Sequence, residues 1–523
     1  MVRYPLGIQT FEKLREGGFL YVDKTEQVYN LSKYSYVFLS RPRRFGKSLL
    51  TSTFNAYFSG RKDLFKGLAI EKLETKWSQH PVLQFSLSTA KRGTVEDLDS
   101  IISDQLAWSE NNYGLHAEGN NITVRMSNLV KNIYTQTGKK VVVLIDEYDA
   151  PLLNVLHDRE RLEAIRTELQ SFYSPLKDLD PFLRFVFITG ISKFSQLSIF
   201  SQLNNLYNIS MLPAYADLCG ITQDELESNF QEGIAQLASA EGETEAAILQ
   251  RLQQQYDGYH FARNAKGVYN PFSLLYAMQA KEIGNYWFAT GTPSFLVSMM
   301  RKFHTDITKI DGSEAPIEEF DAPTENMHSI LPLFYQSGYI TIKNYIRSAH
   351  HYILGYPNEE VKNGMMYNLI PFYVDSDTLQ TSNACWDICK ALIDDDIDKA
   401  LSVAKDYFAS IPYQSDTLKN APSSEGHFTA MLYVMFSFLN KYVYSQGRTA
   451  KGRMDILLKT SSTIYVMELK INGDVDEALR QIDDRGYAIP YNTDGRKVVK
   501  VGINFSTSER TIKEWKAEQA TTN

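Results

Sequence analysis

Three residues on the C-terminal side of the chain have the types and spacing to cut a phosphodiester bond. Asp455 follows Gly452-Arg453-Met454 and opens an apolar segment, while Glu468 and Lys470 close the segment Ile464-Tyr465-Val466-Met467-Glu468-Leu469-Lys470. Side chains of a strand point alternately to its two faces, so Glu468 and Lys470 share one face and Leu469 takes the other. Thr460-Ser461-Ser462-Thr463 supplies a polar turn between the two strands. A hairpin therefore brings Asp455 to the pair. Two carboxylates suit one or two Mg2+ ions that polarise a phosphate and activate a water, with Lys470 positioning that water or steadying charge. Glu-x-Lys alone is common on solvated strands, but both strands here are too apolar for surface ribbons. Glu425, ahead of a helical run expected over 428–442, is a further metal carboxylate or an acid favoured by the helix dipole.

A second set lies near the N-terminal side. Tyr36-Val37-Phe38-Leu39 runs into Ser40-Arg41-Pro42-Arg43-Arg44-Phe45-Gly46-Lys47-Ser48, and Leu49 continues into a helix expected to 58. A strand, a loop ending in Gly-Lys-Ser and a helix form the setting of a phosphate-binding loop. Gly46 lets backbone approach phosphate, Lys47 reaches the terminal phosphates, Ser48 ligates Mg2+ and the helix N-terminus favours an anion. Arg41 stands where the usual pattern has its first glycine. Val141-Val142-Val143-Leu144-Ile145-Asp146-Glu147 reads as a strand buried on both faces. At its end Asp146 is expected to hold Mg2+ and Glu147 to polarise the attacking water. A third strand, Arg184 onward to Ser192, offers Thr189 and Ser192 as polar sensors of the γ-phosphate. Residues Arg43, Arg44, Phe45, Gly46, Lys47, Ser48 and Leu49 form the expected nucleotide contact, and Arg43 and Arg44 are either phosphate-facing or solvated.

These stretches, with Tyr21-Val22-Asp23-Lys24-Thr25 and Phe187-Ile188-Thr189-Gly190-Ile191-Ser192-Lys193-Phe194, resemble the AAA-ATPase-like family of the type abundant in gut Bacteroidetes. Its members share the Arg-Pro-Arg-Arg-Phe-Gly-Lys-Ser form and typically carry a PD-(D/E)xK nuclease-superfamily domain, which the Asp455 hairpin resembles. The resemblance implies an α/β chain: an AAA-like parallel sheet over 1–215, a helical lid with a winged-helix-like element over 216–374, and a restriction-endonuclease-like domain over 375–523. It places Gln481, on a helix expected over 474–487, near the scissile phosphate, although an ordinary exposed glutamine fits as well. It implies an ATPase coupled to a Mg2+-dependent nuclease with ATP and Mg2+ as cofactors. The partner expected is nucleic acid, DNA ahead of RNA, and a homo-oligomer is an open option. Genome defence or mobile-element biology follows by analogy only. The alternative is an ATP-dependent switch whose nuclease-like domain binds without cutting.

The elements that must position these groups fit the whole chain. Its 523 residues exceed what one core supports. A composition 43% hydrophobic and 22% charged is that of a globular protein. No apolar run reaches a membrane span, and the start lacks a signal-peptide core, so a cytoplasmic protein is expected. Net charge is −8, so any nucleic-acid contact rests on local clusters such as Arg448, Lys451 and Arg453, or Arg496, Lys497 and Lys500. Cys385 and Cys389 lie one helical turn apart and read as packing residues. Thr222 with Glu225 forms a capping-box pattern ahead of a helical region to about 256. His260 reads as a packed loop histidine, and 329–356 as a helix leading into a hairpin.

Overall fold

The computed structural model describes residues 2–90, 92–116, 119, 121–156, 158–193, 205–287, 299–300, 303, 305–320, 329–373, 378–410, 425–436, 443–445, 448–449 and 452–520. At 367–373, 378–382, 425–428, 430, 443–445, 448–449 and 452–453 it describes backbone alone. The chain divides into two units, Met1–Gly291 with Glu314–Asn358, and Thr292–Ser313 with Glu359–Asn523.

The first unit is built on β1 (Tyr36–Ser40), β2 (Val82–Ser86), β3 (Val141–Asp146), β4 (Leu183–Gly190) and β5 (Tyr207–Asn208). They pair in parallel in the order β2-β3-β4-β1-β5. β1 and β3 are buried along their whole length, as unbroken aliphatic runs require in a covered parallel sheet. Ser86 registers with Asp146 and Ser40 with Gly190, so four strands deliver their C-terminal ends to one edge. Open parallel sheets build ligand sites at that edge. β2, not recognised in the sequence, is an edge strand whose Gln84 is exposed.

Helices Gln223–Asn229, Gln231–Glu241, Glu245–Tyr256 and Pro271–Ala280 pack around Phe230, Leu237, Leu252 and Tyr256. The Thr222–Glu225 capping box is formed in both directions. The single helical region expected up to 256 is broken at Phe230 and again at Gly242, whose φ of 69° ends the helix. Helix Leu331–Ser337 leads into a small antiparallel sheet of β6 (Glu314–Pro316), β7 (Thr341–Ile346) and β8 (His351–Gly355), ordered β6-β8-β7. The helix and hairpin match the expected wing, and β6 adds a strand that was too short to leave a sequence pattern.

The second unit holds the sheet β15-β14-β13-β12-β9, with a two-residue ladder of β10 and β11 beside it. Its strands are β9 (Val443–Ser445), β10 (Arg448–Thr449), β11 (Gly452–Arg453), β12 (Ile456–Lys459), β13 (Thr463–Ile471), β14 (Lys497–Ser506) and β15 (Thr511–Gln519). Only β13 and β14 pair in parallel within the five-stranded sheet. The helix Val475–Arg485 connects them, capped by Asp474 and closed by Gly486 in the left-handed region. Its Leu479 and Ile482 pack against Ile464, Val466 and Val498 of the sheet. Helix Ile397–Ala409 sends Phe408 to Phe505 of β14, ring centroids 5.3 Å apart. Cys385 and Cys389, on helix Thr378–Ile393, are buried free thiols that pack as expected.

Candidate functional site

The loop after β1 turns through Arg44 and Gly46, with φ of 69° and 88°, and the helix Lys47–Phe58 starts at once. At Gly46 a side chain would be strained whatever the space around it. Lys47 is buried and its Nζ donates to the carbonyls of Arg41 at 3.0 Å and Pro42 at 2.9 Å. Burial pulls its ammonium below the ordinary lysine range, while Asp146, Asp149 and Glu147 oppose that.

Arg41 is not a phosphate ligand. It is 1% exposed, its guanidinium donates to the carbonyls of Ser40 (2.9 Å), Ser210 (2.7 Å) and Tyr215 (2.8 Å), and it lies 4.3 Å from the Phe261 ring. The residue at the usual glycine position thus ties the loop to the β5 side of the sheet. Arg44 stacks on Phe272, 3.7 Å from the ring centroid, and Phe45 packs edge-on against Tyr259 and Phe261. Arg43 is exposed and its carbonyl accepts from Trp287.

A cleft of about 740 Å³ opens over this loop. Arg43, Arg44, Gly46, Lys47, Ser48 and Leu49 line it, and so does Glu147 from the end of β3. Asp146 is buried beside it, and its Oδ1 accepts from the Glu147 amide at 2.9 Å. Glu147 has φ of 51°, and burial, then Asp146, pushes its carboxyl above the usual range. The expected polar sensors lie elsewhere. Thr189 and Ser192 are fully buried; the Thr189 hydroxyl donates to the Leu39 carbonyl at 2.8 Å, and the Ser192 hydroxyl donates to Asp149. Neither hydroxyl lines the cleft, nor does the Phe45 ring.

Several further lining residues stand outside the sequence motifs. Leu6, Gly7, Ile8, Phe272 and Leu275 line the cleft, and so do Ser88, Thr89 and Asn154, the first two just past β2. Ser88 and Thr89 carried one usable signal, their position just past the alternating strand Val82–Ser86. The N-terminal segment carried no periodic signal, because an irregular chain has no periodicity.

The second site is the β12–β13 hairpin. Ile456 pairs with Met467 in antiparallel register, which sets Asp455 opposite Glu468 on one face. Asp455 Oδ2 accepts from the Leu469 amide at 2.9 Å, clamping the acid to β13. Glu468 is 2% exposed; Gln481 donates its amide to Glu468 and accepts from Lys470 Nζ at 2.6 Å. Gln481 therefore joins the acid to the lysine. Its helix comes this close because β14 has glycine beside Glu468: a Cβ at Gly502 would lie 2.5 Å from the Val475 carbonyl. Asp455, Glu468, Lys470 and Gln481 are brought together. The Glu425 side chain, like those of Arg448, Lys451 and Arg453, lies outside the described residues. Of the other basic cluster, Lys500 is held by Asp483 at 2.8 Å, and Arg496 pairs with Asp494. Among the described residues no group of three or more His, Cys, Asp or Glu side chains is set to hold a metal ion. No described helix is long and apolar enough to cross a membrane.

Comparison with known proteins follows the same division. Residues 5–200 match the model of a predicted AAA-ATPase family, and residues 423–515 match that of the PD-(D/E)XK nuclease superfamily. A relative described as the uncharacterized protein in the vnfD 5'region of Azotobacter chroococcum mcd 1 is 33% identical over 524 residues, covering 98% of each chain. Among solved structures, the Aeropyrum pernix ORC2 protein in ADPNP–ADP complexes overlaps at 12% identity and a TM-score of 0.22, over 69% of this chain and 93% of its own. The Aeropyrum pernix ORC1 protein in complex with DNA overlaps at 10% identity and a TM-score of 0.24, over 65% and 91%. Overlap that low has no bearing on the fold.

Proposed function

This chain belongs to the AAA-ATPase-like family and carries a PD-(D/E)XK nuclease-superfamily domain, and from that premise we propose an ATP-hydrolysing protein coupled to a Mg2+-dependent nuclease acting on nucleic acid. The observation that carries the reading is the convergence of Asp455, Glu468 and Lys470 on one face of the hairpin, with Gln481 joining the last two. Hard oxygen donors suit Mg2+ better than softer metals. Asp455 and Glu468 would hold it at the hairpin, Ser48 and Asp146 at the phosphate loop, where it supplies positive charge to phosphate and lowers the pKa of a bound water.

The chain's own groups do the rest. Lys470, bonded to Gln481, orients a water or steadies charge on the phosphate. Gln481 holds the Glu468 carboxylate and the Lys470 ammonium at a fixed separation. At the phosphate loop, Lys47 exchanges two backbone carbonyls for phosphate oxygens, and Glu147 accepts the proton of the attacking water. DNA ranks ahead of RNA as substrate, and genome defence fits the pairing by analogy.

The test is cleavage of mixed single- and double-stranded nucleic acids with Mg2+, with and without ATP. We expect the wild type to cut and Asp455→Ala to lose activity by about 100-fold or more. Equal cleavage by both proteins would sink the nuclease reading. In parallel, phosphate release from ATP should fall by about 100-fold in Glu147→Gln.

A further inference from the structure

Asp149 lies two residues past Glu147 and lines the same cleft, yet no chemistry is assigned to it above. It is 1% exposed, and its Oδ2 accepts from the amides of Ser192 at 2.6 Å and Ile191 at 3.0 Å and from the Ser192 hydroxyl. The neighbouring Tyr148 grips the same segment from the other end: its amide donates to the Thr189 carbonyl at 3.2 Å and its hydroxyl to the Ser192 carbonyl at 2.9 Å. Gly190 is the residue that permits this. A Cβ there would stand 2.3 Å from Asp149 Oδ1 and 2.6 Å from the Tyr148 ring. One residue on, the Lys193 amide donates to Gln336 of helix Leu331–Ser337 at 3.0 Å, so the segment is also tied to the helix before the wing.

This clamp matters because of Glu147. A non-glycine residue in the left-handed region is costly and persists only where its surroundings over-determine it. Glu147, at φ of 51°, is fixed on one side by the Asp146 carboxylate bonded to its amide. On the other side the fixed point is the pair Tyr148 and Asp149, locked onto the end of β4. Release of that lock would let the backbone of Glu147 relax and carry its carboxylate away from the place proposed for the attacking water.

We propose that Asp149 is a positioning residue for ATP hydrolysis: its grip on Ile191 and Ser192 holds Glu147 in the strained conformation that aims its carboxylate. This rests on the ATPase reading given above. Asp149→Asn keeps the shape and replaces one of the two oxygens that accept from the Ile191 and Ser192 amides by an amide donor. It should lower kcat by about 100-fold, the cost of a small misplacement, with the Kd for ATP, measured with a fluorescent ATP analogue, moving less than about 3-fold. Ser192→Ala, which removes one donor and spares the backbone, should show the same pattern at about 10-fold. In a Glu147→Gln background, Asp149→Asn should cost nothing further, because Asp149 acts through Glu147. Hydrogen exchange on the nucleotide-free full chain gives a reading independent of turnover: the Ile191 and Ser192 amides should exchange about 10-fold faster in Asp149→Asn.

Unchanged kcat in both variants, or losses that multiply in the Glu147→Gln background, overturns the positioning role. Wild-type phosphate release no greater than that of Glu147→Gln overturns the ATPase reading itself, and the positioning role with it. Faster exchange with unaltered turnover sinks the positioning role alone.

Discussion

At the scale of the residue, side-chain types were legible and their directions were not. Arg41 stands where a glycine is usual, and its place in the sequence gives no hint that the guanidinium turns away from the cleft to three carbonyls and the Phe261 ring. Restoring the glycine should therefore harm the protein. Arg41→Gly leaves the buried carbonyls of Ser40, Ser210 and Tyr215 without their charged donor, and bonds to charged groups contribute about 1.5 to 3 kcal/mol each, with strong non-additivity. We expect a loss of about 3 kcal/mol in unfolding free energy, read from the denaturant midpoint; a change under about 0.5 kcal/mol would show the bonds to be idle. Thr189 and Ser192 teach the same lesson. Both are at the strand end where a sensor belongs, yet which way a hydroxyl rotates depends on Leu39 and Asp149, which are distant in sequence.

At the scale of the element, the sequence was most readable where a period was long and least where geometry depends on close approach. The alternation in Thr463–Ile471 predicted which residues of β13 share a face, and the register with β12 added Asp455 to them. Nothing in the sequence marked Gly502 as the reason that the helix Val475–Arg485 can bring Gln481 onto Glu468. Gly502→Ala should push that helix off the sheet, since the nearest neighbour is backbone and cannot swing aside. Cleavage should then fall by about 100-fold while phosphate release from ATP stays at the wild-type rate; intact cleavage would separate the helix from the site. A second element carries a pH dependence. His260 sits in the loop after Tyr259, its Nδ1 donating to the Gly258 carbonyl at 3.0 Å and its amide donating to Thr341 of β7. Burial, then Lys343, lowers its pKa, so between the depressed folded value and the ordinary value of 6.5 the unfolded chain binds more protons. The contribution of His260 to stability is full above pH 6.5 and is lost as pH drops through that window. His260→Gln should flatten the acid side of a melting-temperature profile between about pH 7 and 5; an unchanged slope would assign the loss to other groups.

At the scale of the whole molecule, the two candidate sites sit in separate compact units, and in the proposed coupling their dependence on each other is a matter of populations. A nucleotide shifts a conformational equilibrium only by its differential affinity for the two states, so binding itself can license cleavage without hydrolysis. In the proposed scheme hydrolysis would then end the licensed state. That ordering makes Glu147→Gln informative, because it keeps Lys47 and Ser48 for binding while removing the residue expected to activate water. With ATP and Mg2+ present, Glu147→Gln should cut nucleic acid at least as fast as the wild type, since the bound state is no longer spent. Lys47→Ala should cut at the nucleotide-free rate. Asp455→Ala should release phosphate from ATP within about 2-fold of the wild type, because the hairpin lies in the other unit. Glu147→Gln cutting only at the nucleotide-free rate would make hydrolysis, rather than binding, the licensing step. Cleavage by the wild type that ignores ATP altogether would leave both activities standing and remove the coupling between them.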